Sequence, residues 1–208
     1  MKLLSLTESI KLVKKYGVQF APSRQAGTAE EAAKAAEELG FPVALKLISS
    51  KISHKTDIGG VALNIENSAG ARKAFARMRK LRGFKGVLVQ KMVRGKEIII
   101  GGKRDEQFGP TILFGLGGIF VEVFKDYTVR VCPITVRDAR EMVQGIKAYP
   151  ILAGFRSKKG VNIKAIEKDL LKVNRLLMKE KNIRELDINP LIASAKGVTA
   201  VDARVVVD

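Results

Sequence analysis

The order of elements along this chain predicts an α+β fold, with helices laid on antiparallel or mixed sheets. Three observations predict it. Two capping boxes open amphipathic helical stretches near the N-terminus. Short runs rich in Val, Ile and Leu recur between glycines and prolines. Helices and strands follow one another without the strict alternation of a parallel βαβ sheet.

Ser5-Leu6-Thr7-Glu8 fits the first capping box, and the helix it opens stops at Gly17. The segment from Met1 to Gly17 lacks a sustained apolar core and a small-residue cleavage site, so it reads as an amphipathic helix and not as a signal peptide. Thr28-Ala29-Glu30-Glu31 starts an Ala-rich helix that runs to Leu39 and ends at Gly40. Phe41-Pro42 then turns the chain into an apolar strand, Val43 to Ile48, interrupted by Lys46. Residues 49–60 form a polar loop closed by Gly59-Gly60. Val61 to Ile65 are a strand, and a basic helix covers Ser68 to Arg82.

Strands follow at Gly86 to Gln90, Glu97 to Gly101 and Thr111 to Phe114, with a flexible turn at Gly115, Gly117 and Gly118. Val121 to Val131 read as strand with a turn at Lys125-Asp126. Helices occupy Thr135 to Gly145 and a longer stretch from the N-cap Asn162 to about Lys181. The tail reads as a strand from Glu185 to Ile188, a turn at Asn189-Pro190, and a last strand from Val198 to Val206. Gln90 to Gly95 is the expected hinge between two sheet-forming halves.

The formal net charge is +17, which favours acidic partners. Yet the lysines and arginines are spread along the chain, aromatic residues are few, and Trp is absent. Stacking platforms for single-stranded nucleic acid are therefore not visible, and the charge reads as a solvated basic surface. No apolar run approaches the length of a membrane span. The single cysteine, Cys132, excludes an internal disulfide framework and points to a reducing cytoplasm.

Four features could carry chemistry. Lys46 sits inside an apolar strand, where an ammonium needs a partner. It belongs either to a water-facing edge strand or to a phosphate-binding cleft. His54, the only histidine, lies in Ser53-His54-Lys55-Thr56-Asp57-Ile58-Gly59-Gly60. It is either a surface residue or a neutral nucleophile of pKa about 6.5, with backbone N–H groups and cations placed to gather round a phosphate. Without a second His or Cys cluster, a zinc site is not expected. In Leu186-Asp187-Ile188-Asn189, the period of two puts Asp187 and Asn189 on one strand face, and Asp202 falls in a later apolar strand. These oxygen donors suit Mg²⁺ when phosphates and waters supply the remaining ligands; the alternative is an ordinary Asn-Pro turn. Phe114-Gly115-Leu116-Gly117-Gly118-Ile119 is either a phosphate cradle or a plain turn, and it matches neither a Walker A loop nor a dinucleotide fingerprint.

Taken in order, these strings resemble the β subunit of ADP-forming acetyl-CoA (acyl-CoA) synthetases, relatives of succinyl-CoA synthetase. The resemblance covers almost the whole chain. It includes Phe41 to Lys46, Ser53 to Val61, Gln107-Phe108-Gly109-Pro110, Phe114 to Glu122, Ile146 to Pro150, Glu185 to Leu191 and Val201-Asp202-Ala203-Arg204. It implies an ATP-grasp fold, in which two α+β subdomains hold the nucleotide between them. Residues 1–208 would then form a single ATP-grasp domain. A smaller nucleotide-lid subdomain would cover 20–90, and a larger one, carrying the Mg²⁺ site, would cover 91–208 with helix 1–19. The implied reaction is acyl-CoA + ADP + phosphate ⇌ acid + CoA + ATP, with ATP/ADP as substrate and Mg²⁺ as cofactor.

Carried over by position, Lys46 contacts the phosphates, Gln90, Lys91, Met92 and Val93 form the strand that reads adenine, and Glu97 holds the ribose. Asn189, Asp202 and, more weakly, Asp187 bind Mg²⁺. His54 accepts the phosphoryl group beside the nucleotide. Gly115, Gly117 and Gly118 face the docking point of a mobile loop. Gln90 stands where succinyl-CoA synthetases carry an acidic residue. The CoA-binding and acid-binding halves, with the first phosphohistidine, belong to an α subunit or a fused half, so the expected partner is that α subunit in an αβ or α2β2 assembly. Two rivals are another ATP-grasp carboxylate ligase that needs no phosphohistidine, and a basic RNA-binding module.

Overall fold

The structure, a computed structural model, describes residues 1–49, 58–117, 125–154 and 159–208. These fall into two compact units: residues 1–4, 8–20 and 94–208 make one, and residues 5–7 and 21–93 the other.

The smaller unit is a four-stranded antiparallel sheet with two helices. Its strands are β2 (Ser23–Ala26), β3 (Val43–Leu47), β4 (Val61–Ile65) and β5 (Val87–Lys91), in the order β2-β5-β3-β4. Its helices are α2 (Ala29–Leu39) and α3 (Ser68–Met78); α1 is Leu6–Lys15, ahead of both. Thr28 caps α2 by accepting from the Glu31 N–H. The expected box is only half closed, because the Glu31 carboxylate accepts from the Gly27 N–H and not from Thr28. Gly40 ends α2 at φ +75°, a conformation a Cβ disfavours. Helices and sheet share one core of Val43, Leu45, Val87 and Val89 against Ala32, Ala36, Phe75 and Met78. Strand positions of one parity thus face the helices, and those of the other parity, Ala44, Lys46, Leu88 and Gln90, face away.

The larger unit is a sheet of seven strands among the described residues. These are β1 (Lys2–Leu3), β6 (Lys96–Asp105), β7 (Gly109–Leu116), β8 (Tyr127–Val131), β9 (Ile183–Ser194), β10 (Gly197–Ala200) and β11 (Arg204–Val207). Their order is β1-β11-β9-β6-β7-β8, with β10 beside β9, and every pairing is antiparallel. Helices α4 (Val136–Gln144), α5 (Tyr149–Ala153) and α6 (Ile163–Lys179) complete it. Thr135 and Asp138 form a closed capping box at the start of α4, and Asn162 caps α6 through the Ala165 N–H. Ile166, Leu170, Val173, Leu176 and Leu177 recur at helical spacing on α6 and are all buried. Leu177 rests directly on Gly102 of β6, where a Cβ would meet its side chain at 2.6 Å.

Several expectations need correction. Lys2–Leu3 is a short strand paired with Val206–Val207, not the start of the first helix. β2 and the short α5 carried no periodic signal strong enough to be expected. Gly115 does not lie in a turn: β7 continues through Leu116, with Gly115 paired to Ile99 and to Tyr127. Asn189-Pro190 is not a turn either. β9 runs through it for twelve residues. The pairing with β6 shifts between Ile98↔Leu191 and Ile100↔Ile188, so Asn189 and Pro190 together oppose one residue, Ile99. That bulge is where a proline, lacking an N–H, can sit inside a sheet.

Asp126 ties the start of β8 to the helical layer. Its buried carboxylate accepts from the Lys147 N–H at 2.7 Å and the Ala148 N–H at 2.8 Å. Asp126→Ala would strand both donors, and we expect it to lower stability by about 3 kcal/mol in denaturant unfolding. An unchanged midpoint would show that water replaces the carboxylate.

Candidate functional site

In the smaller unit, Lys46 and Gln90 share the face of the sheet that looks away from α2 and α3. Ala44 pairs with Gln90, and Lys46 is two residues further along β3, opposite Leu88. Their side chains are therefore diagonal neighbours. β3 lies between β5 and β4, so Lys46 is not on an edge strand, and it is only 5% exposed. Gln90 is 2% exposed, and its Nε2 has no hydrogen-bond partner among the described residues. A buried amide donor left open costs about 1–3 kcal/mol, so an acceptor placed beside it is favoured.

The segment after Gln90 is partly committed to the fold. The Lys91 and Met92 N–H groups donate to the carbonyls of Pro22 and Pro42. The Lys91 ammonium lies 2.5 Å from the Gly40 carbonyl, at the C-terminal end of α2 where a cation is favoured. Lys91 thus serves the helix with its side chain, and Met92 has no free N–H for a base. Two shallow clefts of 490 and 790 Å³ in this unit lie along α3, lined by Lys73, Arg77 and Lys80 and by Gly27, Arg79 and Phe84 respectively; neither includes Lys46 or Gln90.

In the larger unit, the sheet register gathers Asp187, Asn189 and Asp202. β10 and β11 run beside β9 in one continuous register: Ala200 pairs with Leu191 and Arg204 with Asp187. Asp202, in the gap between them, therefore stands opposite Asn189. Burial alternates along β9, with Leu186 and Ile188 in the core and Asp187 and Asn189 partly exposed. Asp187 Oδ1 is buried, with no hydrogen-bond partner among the described residues. Burial pushes the Asp187 carboxyl up to about 6, the neighbouring Asp202 and Glu185 carboxylates add to the rise, and the Arg204 guanidinium opposes it. Arg204, which sequence reasoning gave no role, pairs with Glu185 at 3.1 Å; its place beside Asp202 in Val201-Asp202-Ala203-Arg204 was the available signal.

Two carboxylates and an amide, with one orphaned oxygen, fit a hard divalent cation that takes its other ligands from phosphates and water. Consistent with a partial donor set, the described residues hold no group of three or more His, Cys, Asp and Glu side chains able to bind a metal. Glu97 lies on β6, exposed, opposite Ile192. Its carbonyl accepts from the Gly117 N–H at 2.8 Å, and a Cβ on Gly117 would press on Glu97 at 3.1 Å, so a larger residue there would push the two strands' ends apart by a few tenths of an ångström. Val93 closes the smaller unit, partly exposed. His54 and Gly118 lie outside the described residues. No helix among the described residues is long and apolar enough to cross a membrane.

Asp187 makes the site pH-sensitive. Its folded pKa lies above the ordinary value of about 3.9, so the folded state holds the proton more tightly than the unfolded chain. Stability should therefore fall as pH rises from about 4 to about 6, by roughly 2–3 kcal/mol, and stay lowered above that. In thermal melts with chelator present, we expect Asp187→Asn to raise the melting temperature at pH 7–8 and to match the parent near pH 4. A parallel pair of curves across that range would refute the assignment.

The ATP-grasp domain model matches residues 1–207. The β subunit of acetate–CoA ligase [ADP-forming] I of Pyrococcus furiosus is 46% identical over 207 residues, covering 96% of this chain and 89% of that protein. The acetate–CoA ligase [ADP-forming] I of Archaeoglobus fulgidus is also 46% identical, over 96% of this chain but only 30% of the longer protein. A solved structure of the acetyl-coenzyme A synthetase 1 of Ca. Korarchaeum cryptofilum superposes with a TM-score of 0.88 at 39% identity, covering all of this chain and 93% of that one. That structure holds coenzyme A and Mg-AMPPCP, with a phosphohistidine segment pointing towards its nucleotide-binding site. Motifs, fold and full-length likeness agree: this chain belongs to the ATP-grasp family, in the branch of the ADP-forming acetate–CoA ligase β subunits.

Proposed function

We propose that this chain is the nucleotide-binding β subunit of an ADP-forming acyl-CoA ligase, and that it moves a phosphoryl group between ATP or ADP and His54. The observation that carries the reading is the likeness to a β subunit over nearly the full length of both chains. The polar residues of both units support it. A buried lysine and an open buried amide suit an anionic nucleotide, and Asp187, Asn189 and Asp202 suit the cation that accompanies it.

In the ATP-consuming direction, a His54 imidazole nitrogen attacks the γ-phosphorus. The N–P bond forms, the bond from phosphorus to the bridging oxygen breaks, and ADP leaves with that electron pair. Run in reverse, the step makes ATP. Lys46 holds the phosphate oxygens. Gln90, with Val93, meets the base, and Glu97 takes the ribose hydroxyls. Gly115 and Gly117 support the strand end beside Glu97. Asn189 and Asp202, with Asp187, hold Mg²⁺, which when bound neutralises charge on the phosphate oxygens. The α subunit performs the acyl and CoA chemistry and exchanges the phosphoryl group with this chain in an αβ or α2β2 assembly.

The experiment is the intact mass of the chain, assembled with its α subunit, after incubation with Mg-ATP. We expect one acid-labile phosphoryl group on this chain, none on His54→Asn, and at least a tenfold slower appearance on Lys46→Met. Turnover by the His54→Asn enzyme at the parent rate would instead establish an ATP-grasp ligase without a histidine carrier on this chain.

A further inference from the structure

Nine large apolar side chains stand well exposed among the described residues, and five of them lie on one connected stretch of the larger unit. Tyr127, Val129 and Val131 occupy alternate positions of β8 and are 43, 44 and 48% exposed. Phe108 lies at the tip of the β6–β7 hairpin. The Cys132 N–H donates to Pro110 at 2.8 Å, which brings that tip to the end of β8. Val136 opens α4 just beyond. The opposite face of β8 is engaged, since the Thr128 hydroxyl donates to the Met142 carbonyl of α4. The apolar residues thus form an outer shelf rather than an underpacked core. Contiguous apolar surface of this kind marks a protein contact. Among the described residues β8 pairs with β7.

We infer that the apolar shelf of Tyr127, Val129 and Val131, with the hairpin tip at Phe108, is the surface on which the α subunit docks. The inference rests on the β-subunit reading above and adds to it the place of contact. Two observations select this occupant. In a single-chain relative, this length of sequence is only 30% of the polypeptide, so the rest of the enzyme must lie against some face of the domain. Lys103 and Lys125 are exposed beside the shelf, with Glu106 exposed at the hairpin tip, and the chain carries a net charge of +17. A second copy would bring like charge against like, whereas an apolar patch rimmed by acidic residues is complementary. The alternate side chains of β8 give the shelf a flat apolar surface for the partner's own apolar side chains.

The test uses the chain assembled with its α subunit. Hydrogen exchange should show amides 127–131 slowed at least tenfold on assembly. The double variant Val129→Lys, Val131→Lys should bind the α subunit at least 100-fold more weakly by analytical ultracentrifugation. Both substituted side chains are exposed, and an unchanged melting temperature of the isolated variant would verify its fold. Assembly of the variant at parental affinity, with β8 amides unprotected in the parent complex, would overturn the inference and leave the β-subunit reading standing. Failure of the unaltered chain to bind any α subunit would overturn that reading, and this one with it. Self-association through β8, abolished by the double variant, would assign the shelf to a second copy and also overturn the inference.

Discussion

The larger unit depends on the pairing of one long strand on both of its edges. β9 gives its backbone groups to β6 on one side and to β10 and β11 on the other. Polar backbone groups away from water must find a partner, and this double pairing supplies them along a strand of twelve residues. It also fixes which residues meet. Asp187 has Gly101 on one side and Arg204 on the other because the ladders leave no alternative register. The candidate cation site is a consequence of that register, assembled from two stretches of sequence that share no local signal.

Both units place their unusual polar residues by the same rule. In the smaller one, Val43, Leu45, Val87 and Val89 face the helices, while Lys46 and Gln90 take the other face. In the larger one, Ile98, Ile100, Ile112 and Phe114 fill the core, while Glu97, Asp187 and Asn189 fall on positions of the opposite face. A helix-covered face secures each sheet by apolar burial, which leaves the second face open to chemistry.

Local chemistry explains what was legible in advance. Thr28, Thr135 and Asn162 mark helix starts because an N-cap oxygen satisfies a nearby N–H, a requirement that lies within four residues of sequence. β3 and β5 were legible as apolar runs, and Lys46 was conspicuous because it interrupts one. The failures have a common cause in long-range pairing. Asn189-Pro190 has turn chemistry, but its neighbours on β6 and β10 hold it in a strand as a bulge. Gly115 looked like a flexible turn because glycine has no side chain to report its partners, yet β6 and β8 flank it on both sides. Asp202 and Asn189 could be nominated from their residue types, but that they stand opposite each other follows only from the shared register of β10 and β11.

That shared register has a mechanical side. β10 and β11 behave as one strand clamped at both ends, with residues 201–203 as a short span between the clamps. Within the span the Val201 N–H donates to the Pro190 carbonyl, and the Asp202 carboxylate accepts from the Ala203 N–H at 2.8 Å. The ladders on either side fix where the span begins and ends, so the place of that carboxylate follows from the pairing of β9. The acid thus keeps its place over β9 for as long as the two ladders stay paired.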